Sequence, residues 1–536
     1  MFGDVIADPF QCSAEDYASP DRRANTIAAV PLCRRWLEEC RASHPQCRGN
    51  ETLHSIVPTR LLDIGNGGPR IRLAAEVSRK GHNIKYATLS HCWGAEPFAT
   101  LTSANLESFR QQVPIEAITK TFSDAIHIAR ALGFCYLWID SLCIIQDSVE
   151  DWERESSQMT QVYGDSDLTI AATSAKDGRG GCFFGRGPNR RCRVRQSSSP
   201  VLWDVYRYPY RHPLQCNSLD TRAWALQERY LSRRMLHFAH DEVFWDCDGN
   251  PASETFPYGY PLGMGGREYL GLTVQKRPLT RQKWRLIVED YSKRDLTKSS
   301  DRFPAIAGLA KLIQEQTKDE YVAGMWREGL AYQLAWYSFT TEGMTGPYIA
   351  PSWSWATSRK IRFPQYHEHT LESSQLHIQV DSIDIQYATS NRLGEILAGK
   401  VRLRCDILCR AVVRLVSGRV TLLIGNKVID DVDVYPGFVM HTQIGRDVHA
   451  LIITHGTAAS SLCTGLLLKP ANRTRGEYQR LGAYRSVYFP STSRSGDSGL
   501  CEKAMAEENL VALDRVDHFA KVSTEDGLKR YFIDLV

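Results

Sequence analysis

Residues Tyr136–Ile145 read YLWIDSLCII and run into Gln146-Asp147. The run is apolar except for one acid, Asp140, with Ser141 and Cys143 beside it. An apolar run of this length, between a helical segment and a polar turn, predicts a strand buried on both faces. An ionisable group inside such a strand is costly unless it sits at the strand end, in a crevice or beside a partner. In open α/β sheets, ligands bind at the carboxyl ends of the strands. Asp140 and Ser141 are therefore candidate binding groups, with Asp147 at the polar end of the run. The competing reading is an Asp that caps the following loop.

The flanking sequence alternates in the same sense. KYATLSHCWG, from Lys85, predicts a strand that ends in a turn at Gly94. Residues 120–132 predict a helix, with Phe122, Ala125, Ile126, Ala129 and Leu132 on one face and Gly133 as its stop. A second helix follows Ser148, a candidate N-cap ahead of the acids Glu150, Asp151 and Glu153. Its expected buried stripe is Trp152, Ser156, Met159, Val162 and Tyr163. DLTIAATS predicts a strand, TRAWALQERYL a helix, and RMLHFAHDEVFWDC two short strands around a polar turn. Strand and helix in alternation imply parallel strands joined by right-handed crossovers.

Outside this core the texture differs. PLCRRWLEECRASH predicts an amphipathic helix, and Gly65-Asn66-Gly67-Gly68-Pro69 a turn between two short strands. Residues 280–340 look helical, and from about 375 a β period with turn punctuation predicts an antiparallel accessory region. The expected organisation is an N-terminal region (1–80), an α/β domain (81–250), a helical linker region with PSWSWA (251–370) and a β-rich accessory domain (371–536).

Composition narrows the function class. Among 536 residues, Lys+Arg number 65 against Asp+Glu 61, a net charge of +4 that gives no case for a nucleic-acid surface. No apolar stretch approaches the roughly 18 to 20 residues of a membrane span. The N-terminus MFGDVIADPFQCSAEDY has early acids and no apolar core of a secretory signal. The 15 cysteines are then expected to be reduced thiols in a cytoplasmic or nuclear protein.

The core segments resemble the fungal heterokaryon-incompatibility (HET) domain. The resemblance is carried by YATLSHCWG, TFSDAIHIARALGFCYLWIDSLCIIQD, DWERESSQMTQVYGDSDLTIAA and RAWALQERYLSRRMLHF, and covers about residues 86–247. PSWSWAT at Pro351–Thr357 is similar to a motif found downstream in such proteins. His91 stands where an aromatic is common in the family, and Ala223 where Gly is common. The resemblance implies a role in non-self recognition and programmed cell death, with other incompatibility or signalling proteins, or a second copy of the chain, as partners. The family is regarded as distantly related to TIR domains, some of which cleave NAD. This implies a TIR-like or flavodoxin-like, mostly parallel sheet flanked by helices, no required cofactor, and NAD as a candidate substrate.

That relation puts Glu228 first among the candidate catalytic residues. Trp224 and Glu228 stand four apart on a helix and share a face, so an indole could stack nicotinamide while the acid holds a ribose hydroxyl. Departing nicotinamide leaves an oxocarbenium-like centre that a carboxylate stabilises. The bland alternative is a surface Glu paired with Arg222 or Arg229 while Trp224 fills the core. Ser90, His91 and Cys92 end the first strand and would line the same crevice, although neighbours on a strand face opposite ways, which disfavours Cys92 as a nucleophile. Backbone amides of the Trp93-Gly94-Ala95 turn could contact a phosphate, and Arg222 and Arg186 could neutralise a pyrophosphate. Glu155, near a helix start, is read as dipole compensation.

Cys40-x3-His44-x2-Cys47 offers three zinc-competent ligands, with Cys33 a candidate fourth. Packing thiols are the competing reading. Trp353 and Trp355 are expected on one side of a strand, packing between domains.

Overall fold

The computed structural model describes residues 26–48, 57–77, 84–185, 191–195, 202–206, 214, 217–260, 279–338, 340, 347–364, 374–406, 408–416, 419–424, 427–429, 432–436, 447–456, 461–471, 476–488, 521–525 and 528–536. Arg186 lies outside them. The chain divides into two compact units, Met1–Leu279 and Thr280–Val536.

The first unit is α/β. Its elements are α1 (Val30–Ser43), β1 (Arg60–Asp63), β2 (Arg70–Leu73), α2 (Ala74–Val77), β3 (Ala87–Ser90), α3 (Leu106–Gln111), α4 (Lys120–Ala131), β4 (Tyr136–Trp138), α5 (Asp140–Cys143) and α6 (Val149–Asp165). They continue with β5 (Leu168–Ala171), β6 (Arg191–Arg195), β7 (Leu202–Tyr206), α7 (Ala223–Leu231), β8 (Arg234–Phe238), β9 (Val243–Cys247) and β10 (Ala252–Ser253). Eight of the strands form one sheet in the order β10-β9-β8-β5-β3-β4-β1-β2. β4, β3, β5 and β8 are parallel neighbours at its centre. The flanks are antiparallel: β1 pairs with β2 and β4, and β9 pairs with β8 and β10. The sheet is thus mixed, with the expected parallel part confined to its centre. Short connections explain the β1–β2 and β8–β9 pairs. The turn at 64–69 and the polar turn at 239–242 are too short for a crossover and long enough for a hairpin.

β3 comes first among the parallel strands but stands between β4 and β5. The crossover direction therefore reverses between β3 and β5, where Ser90 and Ala171 are register partners at the carboxyl ends. That is the position at which open α/β sheets leave a crevice.

The run Tyr136–Ile145 is not one strand. β4 stops at Trp138, and Asp140–Cys143 form a single helical turn, with the Cys143 and Ile144 amides bonded to the carbonyls of Ile139 and Asp140. Ile139, Leu142 and Cys143 are still fully buried. Apolar residues in a short run satisfy burial equally in a strand or in a turn, so periodicity does not separate the two. The consequence is that Asp140 leaves the sheet at a strand end instead of sitting inside one.

α4 is capped by Thr119 and α6 by Ser148, whose hydroxyl accepts from the Asp151 amide. The buried face of α6 differs from the expected stripe. Asp151 and Glu155 are buried along with Met159, Val162 and Tyr163, while Trp152 and Ser156 are only half-buried. The reason is Arg60, itself buried, which binds Asp151, lies 3.7 Å from Glu155 and donates through Nε to the Cys143 carbonyl at 2.7 Å. A cation from β1 makes acids acceptable on that face. Asp151 also accepts from the Ile145 amide at 2.8 Å, so this cluster anchors the far end of the 136–145 segment.

The second unit pairs helices Arg281–Tyr291 and Pro304–Thr317 with a mostly antiparallel sheet that includes Ile378–Tyr387, Ile396–Cys405, Asp447–Gly456, Ser461–Pro470 and Glu477–Tyr488. One interior pair is parallel, Glu477–Tyr488 with Leu528–Leu535. Trp353 and Trp355 are not on a strand. Ser354 caps a 3-10 turn over Trp355–Thr357, and both indoles are fully buried inside this unit. The Gly324 carbonyl accepts from the Trp355 and Trp284 indoles at 2.6 and 2.9 Å, which fixes the turn.

Candidate functional site

Three separate segments bring polar side chains to the carboxyl ends of β3 and β4. β3 supplies Ser90, and His91 follows it. The break after β4 supplies Asp140. α7 supplies Glu228, and its N-cap residue is Arg222. The position of α7 is set by a chain of buried hydroxyls. Thr88 on β3 contacts Thr169 on β5 at 2.7 Å, Thr169 contacts Ser232 at 2.6 Å, and Ser232 donates to the Glu228 carbonyl at 2.7 Å.

At the centre, the Ser90 hydroxyl donates to Glu228 Oε2. Both residues are buried, with Glu228 only 1% exposed. Glu228 Oε1 has no hydrogen-bond partner among the described residues. Arg222 donates to the His91 carbonyl and to Asp140 Oδ2, the latter at 3.3 Å. Its guanidinium also lies 5.8 Å from the centre of the Trp93 ring. Trp93 Nε1 donates to the same Asp140 oxygen at 2.9 Å. Asp140 Oδ1 accepts from the Ser141 amide at 2.7 Å and lies 3.8 Å from His91 Nδ1. Gly94, which ends the segment, has φ +77, and a Cβ there would meet Asp177 Cβ at 2.4 Å, so the turn needs glycine for both reasons.

Burial dominates the electrostatics. It lifts the Glu228 carboxyl to about 7, helped by the Asp140 carboxylate and opposed by Arg222 and the hydroxyls of Ser90 and Tyr163. Burial also lowers His91 to about 4, against the pull of Asp140, so the imidazole is neutral near pH 7. Neither His91 nitrogen has a hydrogen-bond partner among the described residues. Its ring instead meets Phe122 edge-on at 5.2 Å. Arg222 is desolvated, yet Asp140 and Glu228 outweigh that and hold its charge. Cys92 is pushed up to about 11 by burial, which keeps it a thiol and unsuited to nucleophilic attack.

Ser90, Trp93, Asp140, Arg222 and Glu228 therefore form one connected group. Ser141 adjoins it through its backbone, while its buried hydroxyl is unpaired among the described residues. Trp224 is half-buried one turn ahead of Glu228 on α7. Trp93 is tied to the acids by the bond from its indole to Asp140. Glu155 belongs to the separate Arg60 cluster, a role that its place near a helix start did not signal.

A second convergence lies at the other side of the unit. Ligand atoms of Cys40, His44, Cys47 and Cys247 all lie within 4.8 Å of one another. Cys33 is buried on α1 and is not in this set. Cys247, at the end of β9, takes the fourth place.

Residues 86–228 match the family model described as Heterokaryon incompatibility protein (HET). The match ends at the proposed acid, Glu228, and supports a protein of the heterokaryon-incompatibility family. No curated protein and no solved structure matches the chain. Among the described residues, no helix is long and apolar enough to cross a membrane.

Proposed function

We propose that this chain is a fungal HET-domain protein of non-self recognition, working in the cytoplasm, whose α/β unit acts on NAD in a TIR-like manner to trigger programmed cell death. The observation that carries the reading is the hydrogen bond from Ser90 to Glu228 at the carboxyl ends of the central strands, where the strand order reverses. An ionised Glu228 suits a ribose undergoing loss of nicotinamide. The C–N glycosidic bond breaks with its electrons leaving on the nicotinamide nitrogen, and the positive charge on the ribose is met by the carboxylate. Water then adds to the anomeric carbon and gives up a proton. In this reading Asp140 takes ribose hydroxyls, Arg222 and the backbone of the Trp93-Gly94 turn face the pyrophosphate, and Trp93 or Trp224 stacks the base.

Incubation of the full-length protein with NAD, following nicotinamide release, tests this. Turnover that falls at least about 100-fold in Glu228→Gln, the scale expected for loss of a charge-stabilising group, supports it. Turnover unchanged in that variant removes Glu228 from the mechanism.

A second reading is a non-enzymatic module that self-associates or recruits incompatibility partners. It is favoured by the burial of Ser90, His91 and Glu228, none more than 1% exposed. Growth arrest that survives Glu228→Gln, from protein that neither binds nor cleaves NAD, selects it.

A further inference from the structure

We propose a structural zinc site formed by Cys40, His44, Cys47 and Cys247. The four ligand atoms lie within 4.8 Å of one another, and His44 Nδ1 is 3.5 Å from Cys247 Sγ. With Zn–S bonds of about 2.3 Å, the sulfurs of a tetrahedral site stand about 3.8 Å apart, so little contraction is needed. Three cysteines and one histidine form a common closed zinc set, with no position left for substrate.

The local backbone is suited to it. His44 is the residue that ends α1, and its amide bonds the Cys40 carbonyl at 3.2 Å. The Cys47 amide then bonds the His44 carbonyl at 3.0 Å, which folds the third ligand back toward the first two. Gly249 lets the chain after Cys247 lie against the imidazole, since a Cβ there would come within 2.6 Å of the ring.

Arg234 is the independent observation. It is buried, with 7% exposed, on β8. Its Nε donates to Cys40 Sγ at 3.2 Å, and its terminal nitrogens donate to the carbonyls of Asp167 and Cys47 at 3.3 and 2.9 Å. No carboxylate is among these partners within the described residues. A buried guanidinium without a counter-ion is costly. Zinc held by three thiolates and a neutral imidazole carries one net negative charge, and Arg234 is placed to compensate it through the Cys40 sulfur. Metal binding releases the three thiol protons to solvent. The ion would join the end of α1 to the end of β9, Cys40 and Cys247 being 207 positions apart in sequence (247 less 40).

Full-length protein produced with zinc in the medium is measured for bound metal, then stripped under reducing conditions and titrated with cobalt(II). The proposal expects one zinc per chain and, with cobalt, the intense visible bands of a tetrahedral site with thiolate charge transfer. Cys33→Ser retains the metal, and Cys247→Ser or Cys47→Ser loses it. If these last variants fail to fold, the wild-type cobalt spectrum decides alone. Absence of both zinc and tetrahedral cobalt bands overturns the site, as does a full zinc complement in Cys247→Ser. A disulfide among these cysteines in metal-free, freshly isolated protein also overturns it.

Discussion

Replacing Glu228 by glutamine should make the α/β unit more resistant to alkaline destabilisation. The wild-type carboxyl titrates at about 7 because it is buried, whereas the ordinary value is 4.5. In the unfolded chain the acid loses its proton above about 4.5, while the folded protein keeps it until about 7. Between these values the folded state binds more protons, so stability falls as pH rises. At about 1.4 kcal/mol for each pH interval of one, the loss across the window is about 3 kcal/mol. Glutamine keeps the shape and can accept from Ser90, but it does not titrate. The stability of Glu228→Gln relative to wild type should therefore climb by about 3 kcal/mol between about pH 4 and pH 8. Because the chain has two compact units, the unfolding free energy is best read locally, from pulsed hydrogen exchange in a denaturant series on peptides within 86–228. An infrared difference spectrum should show a protonated carboxyl band in wild type that fades through about 7 and is absent in the variant. A stability difference flat with pH, together with no such band below neutrality, would refute the buried-acid reasoning.

Two further substitutions follow from the same geometry. Asp140→Asn removes a carboxylate that raises Glu228, so the infrared transition should move below about 7, and an upward move would contradict the assigned coupling. Arg60→Met leaves Asp151 and Glu155 buried without their shared cation and should cost about 3 to 5 kcal/mol in the exchange assay. A loss under about 1 kcal/mol would mean that Arg154, which also contacts both acids, suffices.

The parallel centre of the sheet was legible because strand and helix alternate along the chain from Lys85 to Phe238. The β1–β2 and β8–β9 hairpins followed from short turns. What escaped were several features set by a distant partner. Tyr136–Ile145 carries the same apolar residues whether they continue a strand or turn after Trp138, and the hydrogen bonds that decide this involve Arg60 and Asp151. Asp151 and Glu155 looked like ordinary acids of a first helical turn until a cation 91 positions upstream of Asp151 buried them. Trp224 attracted attention by its spacing to Glu228, while Trp93 reaches Asp140 only through the fold. The same limit put Cys33 in the metal set. It lies close to Cys40 in sequence, and nothing local marks Cys247.

The burial of Glu228 bears on both functional readings through one titration. A carboxylate that stabilises a ribose cation must be ionised, and here ionisation is costly to the folded protein until pH passes about 7. Within the group Trp93 and Arg222 are half-buried, with exposed Gly94 beside Trp93, whereas Ser90 and Glu228 are buried. A dinucleotide engaging Arg222 would draw that cation from Asp140, while displacement of the Ser90 hydroxyl would remove a donor that favours the charged acid. Both changes remove an influence that favours the charged acid, so binding raises the carboxyl further, and the pH profile of kcat set against that of kcat/KM reports the shift. Nicotinamide release that rises through about 7, in step with the fading carboxyl band, ties turnover to the ionised acid. If the band fades while release stays flat, the Ser90–Glu228 pair is a structural contact and the non-enzymatic reading stands.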